Sequence, residues 1–248
     1  MNFKIAIPSG NRNKSKNFKT IEYLNKLGII DNIFLFLNTE IDEIDYRKNY
    51  NLDNINIVIA KSNNIVDARN FIEKEYFENG ERILCLDDDI RFIKFKDGDA
   101  IKKIETKEEF IEQFNKGFDL LKENDSKLFG VYPIDNDLWF SKARTTIGNN
   151  YILAVCSGII VDKTLPKQRV ELKIKEEYER AFIYGKNIRL GFLLVGTVYY
   201  RKDGIGLRSF EEQKRICEKI IQLYPDKYSK TPLKINSKKT NCDLRLQL

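Results

Sequence analysis

ERILCLDDDIRFIKF, residues 81–95, decides the fold. Ile83 to Leu86 is a short apolar run with the character of a buried strand, and it empties into Asp87, Asp88 and Asp89. Apolar residues resume at once with Phe92 and Ile93. Three carboxylates crowded at a strand end repel one another unless water or a cation relieves them. A hard divalent ion does so well, because it takes oxygen ligands and shares them with substrate phosphates. The plainer alternative, a solvated acidic turn, has to be weighed against the rest of the chain.

Upstream, Phe3 to Ile7 alternates into a first strand, ended by Pro8-Ser9-Gly10 and a polar loop through Lys16. Phe18, Ile21, Leu24 and Leu27 recur at helical spacing, and Gly28 stops that helix. Ile33 to Leu37 and Ile55 to Ala60 read as strands, with a helix from Ile65 to Phe77 before the strand Arg82 to Leu86. Strands alternating with helices across short connections imply a mostly parallel sheet covered on both faces. Ligands of such sheets gather at the carboxyl ends of the strands. The Pro8 loop and the acidic triplet both fall there, which favours a site over a solvated turn.

Downstream, residues 91–95 and 100–104 suggest a hairpin around Asp97-Gly98-Asp99. A helix from Thr106 to about Asn124 precedes a strand at Leu128 to Tyr132. The apolar run Tyr151 to Val161 is interrupted by Ser157-Gly158, and Glu176 to Tyr184 is a short helix. Gly191 to Tyr200 reads as strand, Phe210 to Tyr224 as an amphipathic helix, and Thr231 to Leu248 as a basic tail of low order. We therefore expect a single domain over 1–248, with a first half at 1–104, a second at 105–230 and a tail at 231–248.

Composition narrows the chemistry. The chain has 248 residues, 42% of them hydrophobic, enough for a sizeable core. No run of about 18 apolar residues and no signal-peptide pattern is present, so a soluble, cytoplasmic protein is expected. Cys85, Cys156, Cys217 and Cys242 lie far apart without a C-x-x-C pair, which fits reduced core thiols. Histidine is absent, which removes Ser-His-Asp catalysis and H-E-x-x-H zinc sites. Acid–base work would fall to carboxylates, Lys, Tyr or Cys. The net charge of +6 suits a polyanionic partner, either nucleotide or nucleic acid.

Several residues are candidates on type and position. Ser9, Arg12 and Asn13 follow the first strand, and Arg69 lies on the helix before the acidic strand. Arginine can fork onto a pyrophosphate as lysine cannot, although an ordinary surface arginine would look the same. Glu176 and Glu177 open the helix of "KIKEEYERAF", where the helix N-terminus stabilises negative charge. Either could serve as general base, or the pair could be a routine solvated helix start. Trp139 of "NDLWF" could stack on a base or sit in the core, and Lys234, Lys238 and Lys239 could follow a phosphate backbone or simply be solvated.

The order of "IAIPSGNRN", "VDARNFI" and "ILCLDDDI" resembles glycosyltransferases of the GT-A type. With "GVYPIDN", "AVCSGIIV", "KEEYERAFIYGKNIRL", "GIGLRSFEEQKRICEKIIQLYP" and the closing "LRL", the chain is similar to the TET/JBP-associated glycosyltransferases, which include the base J glucosyltransferases and suggest a viral or phage source. The likeness runs from about Phe3 to Leu246. It implies a GT-A-type, Rossmann-like α/β fold, a mostly parallel sheet with helices on both faces and a mixed extension on the acceptor side. It further implies an inverting hexosyltransferase that moves sugar from UDP-glucose or a related UDP-sugar to a hydroxymethylated pyrimidine in DNA.

By the same resemblance Pro8, Ser9, Arg12, Arg69, Asp87 and Asp88 would bind the nucleotide. Asp89, with Asp87, would hold Mn²⁺ or Mg²⁺ in the manner of a DXD motif. Ser157 and Gly158 would lie by sugar or acceptor, and Glu177 or Glu176 would be the base. The family helix usually begins Glu-Asp, whereas this one reads Glu176-Glu177. A late histidine that completes the metal shell in many GT-A enzymes has no counterpart here. Other readings are a GT-A enzyme acting on a glycan or protein, a nucleotidyltransferase (disfavoured by the single glycine of "PSGNRNKSK"), and a non-catalytic nucleic-acid-binding module.

Overall fold

Ile83 and Cys85 point into one hydrophobic layer and Leu84 and Leu86 into another, so the strand before the acidic triplet is covered on both faces. The structure is a computed structural model that describes residues 1–10, 18–133, 135–197, 209–235 and 242–246. Its elements run β1 (Lys4–Pro8), α1 (Lys19–Lys26), β2 (Ile33–Leu37), α2 (Glu40–Asn49), β3 (Asn56–Ile59) and α3 (Ile65–Asn70), which continues as a π-helical stretch, Phe71–Tyr76. Then come β4 (Arg82–Leu86), β5 (Ile90–Asp97), β6 (Ala100–Lys103), α4 (Lys107–Glu123), β7 (Leu128–Tyr132), α5 (Asp137–Ser141), β8 (Thr146–Gly148) and β9 (Cys156–Ile160). The remainder is α6 (Glu176–Tyr184), β10 (Asn187–Thr197), α7 (Phe210–Leu223), β11 (Tyr228–Ile235) and β12 (Cys242–Leu246).

Ten strands form one sheet in the order β3-β2-β1-β4-β9-β7-β10-β5-β6, with β8 beside β10. The first four are parallel, and β7 and β10 share their direction. Only β5, β8 and β9 run against it, so the sheet is mostly parallel and becomes mixed in the second half. This is an α/β fold with helices on both faces, as the alternation of elements implies.

On one face Leu84 and Leu86 join Ile5, Ile7 and Leu35 beneath Ile21 and Leu24 of α1 and Phe110, Phe114 and Phe118 of α4. Thr106 caps α4 with a reciprocal capping box to Glu109, and the helix buries residues at spacing of three and four. Gly117 lets α4 approach the sheet closely, since a Cβ there would meet Leu190 and Phe129 at 3.0 Å. On the opposite face Ala6, Phe36, Ile83 and Cys85 pack under Ile72, Phe77 and Tyr184. A third, smaller cluster joins Tyr178 of α6, Ile216, Cys217 and Ile220 of α7, and Cys242 and Leu244 of β12.

Three expectations change. Ser157-Gly158 does not interrupt the apolar run, because both residues sit inside β9, paired with Cys85 and Leu84 of β4. The stretch read as Gly191 to Tyr200 belongs to a longer strand beginning at Asn187, and residues 198–200 lie outside the described ones. Within the C-terminal segment, residues 231–235 and 242–246 are strand and not a tail of low order. They belong to the hairpin β11–β12, whose Cys242 and Leu244 are buried against α7; Lys234 lies on β11, and Lys238 and Lys239 lie outside the described residues. All four cysteines are free and buried. Among the described residues no helix is long and apolar enough to cross a membrane.

Candidate functional site

Because β1, β4, β7 and β10 point the same way while β5 and β9 oppose them, the ends of the first four and the starts of the other two share one edge of the sheet. The acidic triplet is the turn from β4 to β5 at that edge. It is tied on both sides. The Asp87 amide donates to the Val155 carbonyl at 2.8 Å, and the Thr20 amide of α1 donates to the Asp88 carbonyl at 3.2 Å. The Thr20 hydroxyl donates to the Asp87 carbonyl and accepts from the Ile90 amide at 2.9 Å. Thr20 has no signature in the sequence, since its partners lie some seventy residues away.

The three aspartates are not equivalent. Asp88 is buried, with its carboxylate accepting from the Ser9 hydroxyl at 2.5 Å, and Ser9 also lies 2.7 Å from the Tyr46 hydroxyl of α2. Both side chains, expected on the nucleotide, fasten the end of β1 to the turn. Asp87 keeps 32% of its side chain exposed, and Asp89 is half-buried. Pro8 ends β1 at this edge. Arg12 lies outside the described residues.

Arg69 joins the two halves of the chain. It is buried on α3, its Nη1 donates to the Glu176 carboxylate, and its Nη2 lies 3.6 Å from Asp87 Oδ1. Burial works against the Arg69 charge, but Glu176, then Asp87 and Glu177, more than offset it and raise its pKa. The start of α6 is thereby held against the acidic turn.

Beside Glu176, the Glu177 carboxyl is raised to about 7, first by burial and then by the Glu176 charge, with Arg69 acting in the opposite direction. Lys175, just before the pair, has φ of 59°, a left-handed conformation that a side chain rarely adopts. Its ammonium meets Asp243 of β12 at 2.7 Å. Asp243 also accepts from the Tyr178 hydroxyl at 3.2 Å. Tyr178 stacks on Tyr151 with ring centroids 4.2 Å apart, and burial and then the Glu177 charge raise the Tyr151 pKa.

Beneath this layer lies a buried ion pair absent from the sequence reading. Arg180 Nε donates to Glu73 at 3.0 Å, its Nη1 donates to the Ser157 hydroxyl at 2.9 Å, and the Tyr184 hydroxyl donates to Glu73 at 2.8 Å. Ser157 is fully buried, so its hydroxyl serves Arg180. Gly158 is filled by its neighbour, because a Cβ there would lie 2.1 Å from the Phe129 ring. The structure therefore places both in the core, on the strand beside β4. Trp139 does the reverse, standing 68% exposed on α5, which follows β7 beyond the same sheet edge. Glu179 of α6, fully buried, accepts from Arg169 and from Tyr224 at 2.8 Å and anchors the helix.

Among the described residues, no group of three or more Cys, Asp or Glu side chains is placed to hold a metal ion alone. Mg²⁺-like ions are commonly held by one or two carboxylates plus substrate phosphates. Asp87 and Asp89, two residues apart at the edge, fit that shared arrangement and not a closed cage. The site is thus an acidic strand-end turn facing a helix that begins with a carboxyl titrating near neutrality, both on an α/β sheet.

No protein-family model matches the chain, and none of the curated proteins matches it. Among solved structures it is similar to S. aureus TarS residues 1–349, with a TM-score of 0.48 and 13% identity over 89% of this chain and 66% of that one. The same protein in complex with UDP gives 0.46 and 12% over the same shares. A 4-diphosphocytidyl-2C-methyl-D-erythritol synthase from Anaerococcus prevotii gives 0.37 and 16%, over 72% of this chain and 75% of that one. This chain thus spans just under two thirds of the TarS chains it matches.

Proposed function

We propose that this protein is a metal-dependent glycosyltransferase that moves a sugar from a UDP-sugar to a hydroxymethylated pyrimidine in DNA, with inversion at the anomeric carbon. The observation that carries the reading is the Arg69 bridge, which brings Asp87 of the strand-end turn and the Glu176-Glu177 start of α6 to one place. A donor diphosphate needs positive charge and an acceptor hydroxyl needs a base, and the bridge sets the groups for both side by side. The order of sequence segments shared with the TET/JBP-associated enzymes supports the acceptor, and the net charge of +6 suits a polyanion.

In this reading the diphosphate lies at the edge formed by Pro8 and the Asp87–Asp89 turn. An ion held by Asp89 and Asp87 would neutralise part of the charge gathering on the departing diphosphate. Glu177 accepts the proton of the acceptor hydroxyl as that oxygen bonds to the anomeric carbon. The bond from that carbon to the diphosphate breaks, and UDP leaves with the electron pair. A carboxyl titrating at about 7 is well matched to this task, since it is partly ionised near neutral pH yet basic enough to take the proton. Exposed Trp139, beyond the same edge, is available to stack on an unpaired base.

The test is direct. Protein with Mn²⁺, a panel of UDP-sugars and hydroxymethylated DNA should yield DNA heavier by one hexose per modified base, read by mass spectrometry. Unmodified DNA should gain nothing. Transfer to a free sugar or peptide, with hydroxymethylated DNA ignored under every donor, would overturn the DNA reading.

A further inference from the structure

We infer that the groove between α1 and the β5–β6 hairpin binds the phosphates of single-stranded nucleic acid and leads the strand away from the acidic turn. The inference rests on the acceptor class proposed above, but the groove is built from other residues. It encloses about 350 Å³, and four cations line it against two carboxylates. Lys19 is neutralised by Glu22 at 2.7 Å. Lys26, Arg91 and Lys103 are exposed and have no carboxylate within ion-pair distance among the described residues, while Glu105 is the remaining acid. Such an excess of unpaired cations in a concave surface is an anion site in search of its anion.

Position and shape select the anion. Arg91 lies two residues beyond Asp89, and α1 is joined to the acidic turn through Thr20. One end of the groove therefore begins at the proposed donor site. Lys19 to Lys26 spans about 10 Å of helix at 1.5 Å per residue, long enough to follow more than one phosphate. At the floor the half-buried Phe92 ring holds Arg91 and Lys103 at 5.5 and 5.2 Å from its centre. It fixes the two cations by cation–π attraction without consuming their charge. A concave groove walled by a helix and a hairpin admits a strand, whereas an anionic membrane would require a flat or protruding surface.

Anisotropy of a labelled 12-mer oligothymidine, measured across a range of KCl concentrations, tests this. Each single-strand phosphate contact contributes about 0.7 to the log–log salt slope. The variant K26E/R91E/K103E should flatten the slope by about 2 and weaken binding at least tenfold at low salt. A charge-matched control, K48E/K116E/K122E on α2 and α4, should leave the slope unchanged. UDP binding in Mn²⁺ should be the same in all three proteins. If the triple variant does not fold, K103E alone on the hairpin should flatten the slope by about 0.7. An unchanged slope in the groove variant, an equal loss in the control, or binding of anionic lipid vesicles in place of the oligonucleotide would overturn the groove. Failure of the unaltered protein to bind UDP, with the oligonucleotide still tracking the groove, would overturn the transferase reading and leave the groove standing.

Discussion

A half-buried carboxylic acid set beside a second carboxylate gives up its proton reluctantly, and Glu177 is in that position. Folded, it titrates at about 7, against an ordinary 4.5. Between those values the native state binds more protons than the unfolded one, so stability falls as pH rises from about 4.5 to about 7. Glu177→Gln should remove that fall, and its melting temperature should overtake the unaltered protein's as pH passes neutrality. Turnover of E177Q should drop by about 10²–10⁴ with donor binding retained. Near-normal turnover in both E177Q and E176Q would place the base elsewhere.

The aspartates separate in the same way. Asp89→Ala should abolish metal-dependent UDP binding while preserving the fold, as isothermal titration in Mn²⁺ would show. Asp88→Asn should instead lower stability by about 1–3 kcal/mol, since a carboxylate buried against Ser9 is replaced, and keep metal dependence. The triplet, Arg69 and the glutamate pair were legible as residue types in the sequence. Which aspartate turns inward was not, because Ser9 and Tyr46, which hold Asp88, come from other parts of the chain.

Elements with strong internal patterns matched their expected bounds, among them β2, β7 and α6. The reading missed α2, α5 and β8. α2 buries only Tyr46, and its Ile41 and Ile44 stand 71% and 55% exposed, so no apolar stripe marks it. Its capping box at Thr39 with Asp42 was the available signal. Within β9, Gly158 is a packing requirement. Gly158→Ala should destabilise the protein by about 1–3 kcal/mol, because the new methyl group meets the Phe129 ring. Phe129→Leu should recover part of that loss in the double variant, and chemical denaturation of all four proteins would measure the coupling. Additive losses would mean that the ring is not the obstacle.

At the scale of the whole molecule, the β11–β12 hairpin closes a long connection. Cys242 and Leu244 pack on α7, and Asp243 grips Lys175 and Tyr178 at the start of α6. Removal of residues 228–248 should expose that cluster and release the strained Lys175. We expect a lower melting temperature and faster hydrogen exchange in α6, with slower exchange retained in β1, β2 and β4. Unaltered exchange in α6 would show that the hairpin does not position the glutamates.

The sequence alone determined the repeating strand–helix order, the two-sided burial of the central strands and the acidic end of β4, because these depend on local periodicity and on residues adjacent in the chain. Tertiary structure decided the rest. Arg69 and Glu176 are separated by more than a hundred positions, as are Glu73 and Arg180, and a buried charge is tolerated only where its partner arrives. Those partners meet because β9 inserts antiparallel between β4 and β7, a pairing that no local pattern specifies. That insertion carries Ser157 into the core beside Arg180, while Arg69 holds α6 against the acidic turn, where partial burial and the neighbouring Glu176 charge push the Glu177 carboxyl up to about 7.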